Sequence, residues 1–345
     1  MEQTVTFPSG KVKYMFQASF GSLLQTRDKA HTVLVTNEHI AKLYPHFFKE
    51  YKTLIVPPVE SGKDLNTIGR LTRELLDMEA TRQTTLIGVG GGMVTDITGF
   101  LASVYMRGVS FGFVPTTLLG MVDAAIGGKN GVNAGMNKNI IGTITQPEFI
   151  LFDTHFLDTL PDDEWSNGFA EIIKYACIFD APLFDELGKH SISYYKDEDD
   201  AALADLIERC VAWKNKTVIE DERESGIRKL LNFGHTAAHA IEQLYELPHG
   251  KAVGIGMVIA AIISRQVTGL DKTFVADLKR LLSQYHLPVR LNIDGKKAMQ
   301  LLKMDKKRVN DTIDYILLEK KGQAVVRALP FDMIENALTN YESDH

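Results

Sequence analysis

Between Val12 and Asp153 the chain alternates short β-rich runs with helical patterns, and no other feature restricts its fold so strongly. VKYMF, HTVLVT, TLIVPP, TTLIGVG, SFGFVP and EFILFD each read as a strand. Helix-like segments such as EHIAKLYPHFFKEY and DLNTIGRLTRELLDMEATRQ lie between them. Strands separated by helices need crossover connections, which implies a mostly parallel sheet with helices on both faces. In such sheets ligands bind at the carboxyl ends of the strands. After about Thr159 the texture changes, because residues 162–187, 200–219, 234–245 and 254–268 all have a helical period. The expected fold class is therefore α/β plus α, with an α/β domain over residues 1–159 and a mainly helical domain over residues 160–345. A late β-hairpin is expected at TIDYILLEKKGQAVVRAL, turning near Lys321 and Gly322. The acidic run KDEDD reads as a solvated loop.

Composition narrows the function. At 345 residues and 45% hydrophobic, the chain can bury more than one core. A net charge of -6 with scattered Lys and Arg argues against a nucleic-acid or anionic-membrane surface. Cys177 and Cys210 sit in apolar, helix-like settings, as buried thiols of a reducing compartment do. No apolar run is expected to span a membrane, and MEQTVTFPSG lacks the basic start and apolar core of a leader, so a cytoplasmic location is expected.

Four stretches carry chemistry. LNFGHTAAHAIEQLYELPHGK places three of the ten histidines, His235, His239 and His249, within fifteen positions. On a helix His235 and His239 share a face, so spacing alone pairs those two on one ion or substrate, or packs them as ordinary helix residues. TTLIGVGGGMVTDITGF is a strand, a glycine cluster and a helix, which brings backbone close to a diphosphate or merely makes a tight turn. Met93 occupies the place of the third glycine in the usual dinucleotide fingerprint. Asn37, ending HTVLVTN, stands where a ribose-recognising side chain is expected, and its neutrality leans toward NAD over NADP. VPTTLLGMVDAAIGGKNGVNAGMNKNIIG sets Asp123, Lys129, Lys138 and Asn139 among glycines, which suits a phosphate or a solvated loop. In SNGFAEIIKYA, Ser166 or Asn167 reads as a helix N-cap, followed by Glu171 and Lys174 on one face. The flanking residues are apolar, so that carboxylate is partly buried and needs a cation.

Taken together, GGGMVTDITGF, MRGVSFGFVPTTLLGMVDAAIGGK, NKNIIG, NGFAEIIK, DERESGIRKLLNFGHTAAHAIE and HGKAVGIGM resemble the 3-dehydroquinate synthase family in order and spacing. The resemblance covers roughly residues 33–307. It implies conversion of 3-deoxy-D-arabino-heptulosonate 7-phosphate to 3-dehydroquinate and phosphate by transient oxidation with NAD, phosphate elimination, reduction and intramolecular aldol closure. It also implies one divalent metal, zinc or cobalt, a nucleotide-binding α/β domain followed by a helical metal- and substrate-binding domain, and a homodimer.

By the same resemblance the metal ligands are Glu171, His235 and His249, and His239 becomes a substrate contact. Lys129, Asn139, His239, Lys306 and Lys307 resemble phosphate-side contacts, with Arg107 reaching across the dimer. Lys214 and Arg228 resemble the carboxylate side, and Asp123, Lys174 and Asn232 resemble hydroxyl contacts. Cofactor contacts map onto Asn37, Glu60, Lys63, Gly92, Met93, Val94, Thr95, Asp96, Thr116, Thr117, Lys129, Lys138, Phe156, Leu157, Asp158 and Thr159. The chain departs from the family at Asn37, often Asp there, at NKN in place of GKN, at TAAH in place of TFGH, and in a short link from His239 to His249. The rival readings are another sugar phosphate cyclase, a metal-dependent polyol dehydrogenase that releases NADH, and a catalytically dead binding protein. Retention of Lys214, Arg228 and Asn232 favours a carboxylate-bearing substrate.

Overall fold

The strand-like runs of the first half do form one sheet, and the long apolar runs among them mark its middle. A computed structural model describes residues 1–340 except 136, 305–307 and 310–311, with only the backbone at 304, 308 and 309. Lys306 and Lys307 therefore lie outside the described residues. The chain divides into two units, Met1–Leu160 with Ala204–Arg223, and Pro161–Leu203 with Glu224–His345.

In the first unit the strands are β1 (Glu2–Phe7), β2 (Gly10–Phe16), β3 (Thr32–Asn37), β4 (Lys52–Val56), β5 (Thr85–Gly90), β6 (Ser110–Pro115), β7 (Lys129–Ala134), β8 (Asn137–Ile144) and β9 (Phe149–Phe152). The main sheet has the order β1-β2-β9-β6-β5-β3-β4, parallel throughout except for the β1–β2 hairpin at its edge. β3, β5, β6 and β9 are buried along nearly their whole length. Strands covered on both faces read as continuous apolar runs, which is why they were legible. From β3 the chain steps outward to β4 and then back across to β5, so the sheet has a topological switch between β3 and β5. The carboxyl ends at that point are Asn37 and Gly90, where open α/β sheets bind ligands.

Two elements differ from expectation. β1 is an edge strand with mostly exposed side chains, so it carries little apolar signal. The glycine- and asparagine-rich stretch read as a loop is the hairpin β7–β8. Its pairing is tertiary in origin, since the Asn130 amide donates to the carbonyls of Gly128 and Thr145 at 2.8 and 3.0 Å. The hairpin also packs on the helix Gly92–Val104 where a Cβ at Gly99 would stand 1.9 Å from Asn130 Oδ1.

The second unit holds the helices Asp162–Ile178, Ala181–Leu187, His235–Tyr245, His249–Val267, Lys272–Gln284, Gly295–Met304 and Phe331–Asn340. Its small sheet joins β10 (Arg308–Val309), β11 (Thr312–Lys320) and β12 (Gln323–Pro330), and the expected β11–β12 hairpin turns at Lys321 and Gly322. Among the described residues one helix, His249–Val267, is long and apolar enough to cross a membrane, which amends the expectation of no such run. Of its most apolar window 78% is buried inside the protein, as befits a core helix that is apolar all round. By packing, the chain passes from the first unit to the second after Leu160, and Ala204–Arg223 belongs with the first unit. Buried polar groups there explain it: Tyr14 donates to Asn215 Oδ1 at 2.7 Å, and Ser9 and Gln146 donate to Glu222 at 2.6 and 2.8 Å.

Candidate active site

In the second unit, the helix Asp162–Ile178 starts where the helical period does, ahead of the cap expected at Ser166 or Asn167. Pro161 is its N-cap and Asp162, Asp163 and Glu164 fill its first turn, where negative charge meets the positive end of the helix dipole. Ser166 and Asn167 are thus interior residues, and Glu171 sits at mid-helix with no exposed surface. Its Oε1 lies 3.4 Å from His235 Nε2 and 3.3 Å from His249 Nε2, while Oε2 is ion-paired with Lys174 one turn along.

Both histidines open their helices, and glycine lets those helices meet. Gly234 is left-handed, with φ +79°, and caps the helix His235–Tyr245. A Cβ on Gly256 would stand 2.1 Å from the Gly234 carbonyl oxygen, so the helices touch backbone to backbone. The rings of His235 and His249 come to 5.3 Å between centroids. His235 Nδ1 is 3.1 Å from the Phe233 carbonyl, an acceptor only, which assigns the proton to Nδ1 and leaves the Nε2 lone pair facing Glu171. His239 is exposed, with its ring 5.8 Å from that of His235 and outside the trio. The pairing that spacing suggested is corrected here: the second histidine comes from a separate helix.

The three donor atoms lie within 4.8 Å of one another. One carboxylate oxygen and two imidazole nitrogens suit zinc or a similar ion, and ligands at about 2.0–2.1 Å on a tetrahedron are roughly 3.3–3.4 Å apart. Electrostatics agree. Burial opposes ionisation of Glu171, but Lys174 and then His235 hold its carboxyl well below the usual range. Burial pushes His235 down, toward the neutral ligand form. Burial also works against protonation of His249, yet its contacts with Glu171 and Glu242 raise it to about 10. The carboxylate thus demands positive charge, which a divalent ion would supply. Nearby in the same unit, Arg228 is buried on the 3-10 turn Ile227–Asn232, and Asn232 donates to Glu224 Oε1 at 2.6 Å.

In the first unit, β5 runs through Gly91 into the helix Gly92–Val104, which has no capping side chain and no acid in its first turn. The Val94 and Thr95 N–H groups donate to the Gly91 carbonyl, and those of Gly92 and Met93 ahead of them can meet an anion. Met93, Val94 and Thr95 follow Gly92 in the first turn, and Asp96 comes just after it. Thr116 donates its N–H to the Gly90 carbonyl at 3.0 Å, and its buried Oγ1 has no hydrogen-bond partner among the described residues. The Thr117 hydroxyl accepts from Gly120 at 3.0 Å. Lys63, buried, reaches Asp96 Oδ2 at 2.5 Å and Asn139 Oδ1 at 2.6 Å. Burial raises the Asp96 carboxyl above its ordinary value, with Lys63 opposing. Asn139 is left-handed, with φ +51°, and its N–H donates to Asn133 Oδ1 at 2.8 Å. Asn133 also donates to Glu60 Oε1 at 2.8 Å, a linking role that sequence reasoning missed. Lys214 is buried against Asp123, 2.8 Å from Oδ1.

Other expected residues take structural duties. The Asn37 side chain caps the helix Glu38–Leu43 by accepting from the Ile40 N–H at 2.9 Å. Phe156 and Leu157 are core residues, leaving only their backbone for a ligand. Asp158 and Thr159 are exposed, and Thr159 Oγ1 lies 2.8 Å from the Tyr44 hydroxyl. Lys129, Lys138 and Arg107 are exposed, and Arg107 sits in a turn with positive φ at Met106, Arg107 and Gly108.

Residues 53–167 match the family 3-dehydroquinate synthase N-terminal, and residues 168–308 match 3-dehydroquinate synthase C-terminal. A 3-dehydroquinate synthase of a Nitratiruptor species is 39% identical over 92% of this chain and 92% of its own length. Another, of Pyrococcus furiosus, is 39% identical over 92% of this chain and 94% of its own. Among solved structures, 2-epi-5-epi-valiolone synthase (ValA) from Streptomyces hygroscopicus subsp. jinggangensis 5008, with NAD+ and Zn2+ bound, has a TM-score of 0.89 at 26% identity, covering 99% of this chain and 100% of its own. A 2-deoxy-scyllo-inosose synthase complexed with carbaglucose-6-phosphate, NAD+ and Co2+ has a TM-score of 0.86 at 22% identity over 99% of both chains, a likeness of fold.

Proposed function

Because this chain belongs to the 3-dehydroquinate synthase family, and so is a phosphate-eliminating cyclase, we propose that Glu171, His235 and His249 hold its divalent metal and that the N-terminus of the helix Gly92–Val104 holds the diphosphate of its NAD. The observation that carries this reading is the convergence of two imidazole Nε2 atoms on one oxygen of a buried carboxylate. The substrate is a sugar phosphate, and the finer identity is 3-deoxy-D-arabino-heptulosonate 7-phosphate.

When bound, the metal polarises the substrate's hydroxyl groups and NAD accepts and later returns a hydride. The protein's own residues orient and charge-balance. Lys174 engages Oε2 of Glu171 and so leaves Oε1 facing the histidines. In the first unit Asp123 fixes the Lys214 ammonium, and in the second Arg228 is buried; the resemblance assigns both cations to a substrate carboxylate. It likewise assigns Lys129, Asn139 and His239 to the phosphate, and Asp123, Lys174 and Asn232 to hydroxyls. Lys63, Asp96, Asn139 and Glu60 form one hydrogen-bonded cluster with Asn133 beside the diphosphate site. Lys306 and Lys307 remain assigned to phosphate by resemblance.

Holoenzyme given NAD and substrate should release phosphate stoichiometrically with no net NADH. Accumulating NADH would replace this reading with a polyol dehydrogenase, and turnover only of a sugar phosphate without a carboxylate would replace it with another cyclase. Cys177 and Cys210 are buried and not joined in a disulfide, in keeping with the cytoplasm.

We assign a homodimeric state as well. Ile140 and Ile144 are exposed two positions either side of Gly142, on one face of β8, the apolar surface that a second copy would cover. Ile140→Asp should shift sedimentation from dimer to monomer; a parent chain that sediments as a monomer would refute the assignment.

A further inference from the structure

We propose that Asn167 is a positioning residue for the metal ligand His249, an inference that rests on the metal reading above. The helix His249–Val267 has Pro248 as its N-cap and no capping side chain, so its first N–H groups need partners from elsewhere. The N–H of Gly250, the residue after His249, donates to Asn167 Oδ1 at 2.5 Å in a buried setting. The other end of that amide donates to Glu164 Oε2 at 3.2 Å, which orients the oxygen toward Gly250.

The contact is close. A Cβ on Gly250 would lie 2.6 Å from Asn167 Oδ1 and 2.7 Å from its Cα. Asn167 and Glu171 are four apart on one helix and share a face. One grips the backbone beside His249, and the other meets its ring at 3.3 Å. The ring is 31% exposed and lies 3.6 Å from Glu242 Oε1. The Asn167–Gly250 hydrogen bond fixes where the ligand's helix begins.

The test is a zinc titration of the full chain, stripped of metal, against a competing chromophoric chelator, with NAD affinity measured in parallel. Asn167→Ala should weaken zinc binding about 10–100-fold, the usual cost of losing a group that orients a ligand, and leave NAD affinity unchanged. Asn167→Asp keeps an acceptor for the Gly250 N–H and should retain most of the zinc affinity. If Asn167→Ala does not fold, Asn167→Ser, whose shorter side chain withdraws the acceptor, takes its place. Parental zinc affinity, or zinc and NAD affinity falling together, would overturn the proposal. His249→Ala separates it from the metal reading. Should that variant bind zinc like the parent, the ligand assignment fails; should it lose zinc while Asn167→Ala does not, only the role of Asn167 falls.

Discussion

Glu171→Ala should empty the metal site, cut phosphate release on the order of 10^3-fold, and destabilise the chain even when chelator has removed all metal. The rate loss follows because metal polarisation is worth several kcal/mol and each 1.36 kcal/mol is tenfold. The stability loss has another source. Lys174 is 1% exposed and ion-paired with Glu171, and removing one member of a buried pair costs about 3–5 kcal/mol because the other charge stays buried. Denaturant unfolding in excess chelator isolates that contribution, and adding Lys174→Met to Glu171→Ala should recover much of it without restoring metal. A Glu171→Ala chain as stable as the parent would show that the pair is not buried as described. His239→Ala is the contrasting case, since His239 is exposed and outside the trio. It should keep its metal while losing turnover, and metal loss equal to that of His235→Ala would restore the pairing of adjacent histidines.

Lys63→Met should weaken NAD binding and impose a stability cost that grows with pH. Lys63 is buried, and its ammonium is 2.5 Å from Asp96, whose side chain is 22% exposed, so the cost belongs near the low end of the range for broken pairs, about 3 kcal/mol at neutral pH. Burial raises the Asp96 carboxyl in the folded state, with Lys63 opposing. A carboxyl raised on folding binds its proton more tightly in the native chain. Its contribution is therefore most favourable below the ordinary carboxylate pKa and is lost as pH rises through the raised value. Without Lys63 that value rises further, so the deficit relative to the parent should be small in acid and widen toward neutrality. Unfolding midpoints across a pH series measure it. A deficit independent of pH would mean that Asp96 is not the charge left behind.

The buried strands were legible because strands covered on both faces need continuous apolar runs, as in TVLVTN and TLIGVG. The late hairpin was legible from its Gly322 turn, with φ +77°. β1 was not, because an edge strand with most side chains in solvent has no apolar run to display. β7 and β8 were hidden for a different reason: Asn130, Gly131 and Gly142 have poor strand propensity, and the hairpin depends on side-chain hydrogen bonds and on the bare backbone of Gly99. At the proposed metal site, local spacing favours His235 with His239, whereas the structure brings His235 beside His249 through Gly234 and Gly256, which lie more than one helix apart in sequence. No periodicity records that contact, and the resemblance of whole motifs supplied it. By residue type either Ser166 or Asn167 suits a cap. Asn167 does satisfy a helix N-terminus, but that of another helix.

The helix Asp200–Glu220 begins in one unit and from Ala204 onward belongs to the other. The polypeptide therefore passes between units at residues 160, 203 and 223, and neither unit is a continuous length of gene. A fragment cut after Leu160 would carry every strand of the large sheet, yet would lack Asn215, leaving the fully buried Tyr14 hydroxyl without its acceptor, and Lys214, leaving Asp123 without its cation. During synthesis the same holds in time: the first unit cannot finish folding until the ribosome has released the 71 residues from the end of β9 at Phe152 to Arg223, by which point the helix carrying Glu171 is already outside.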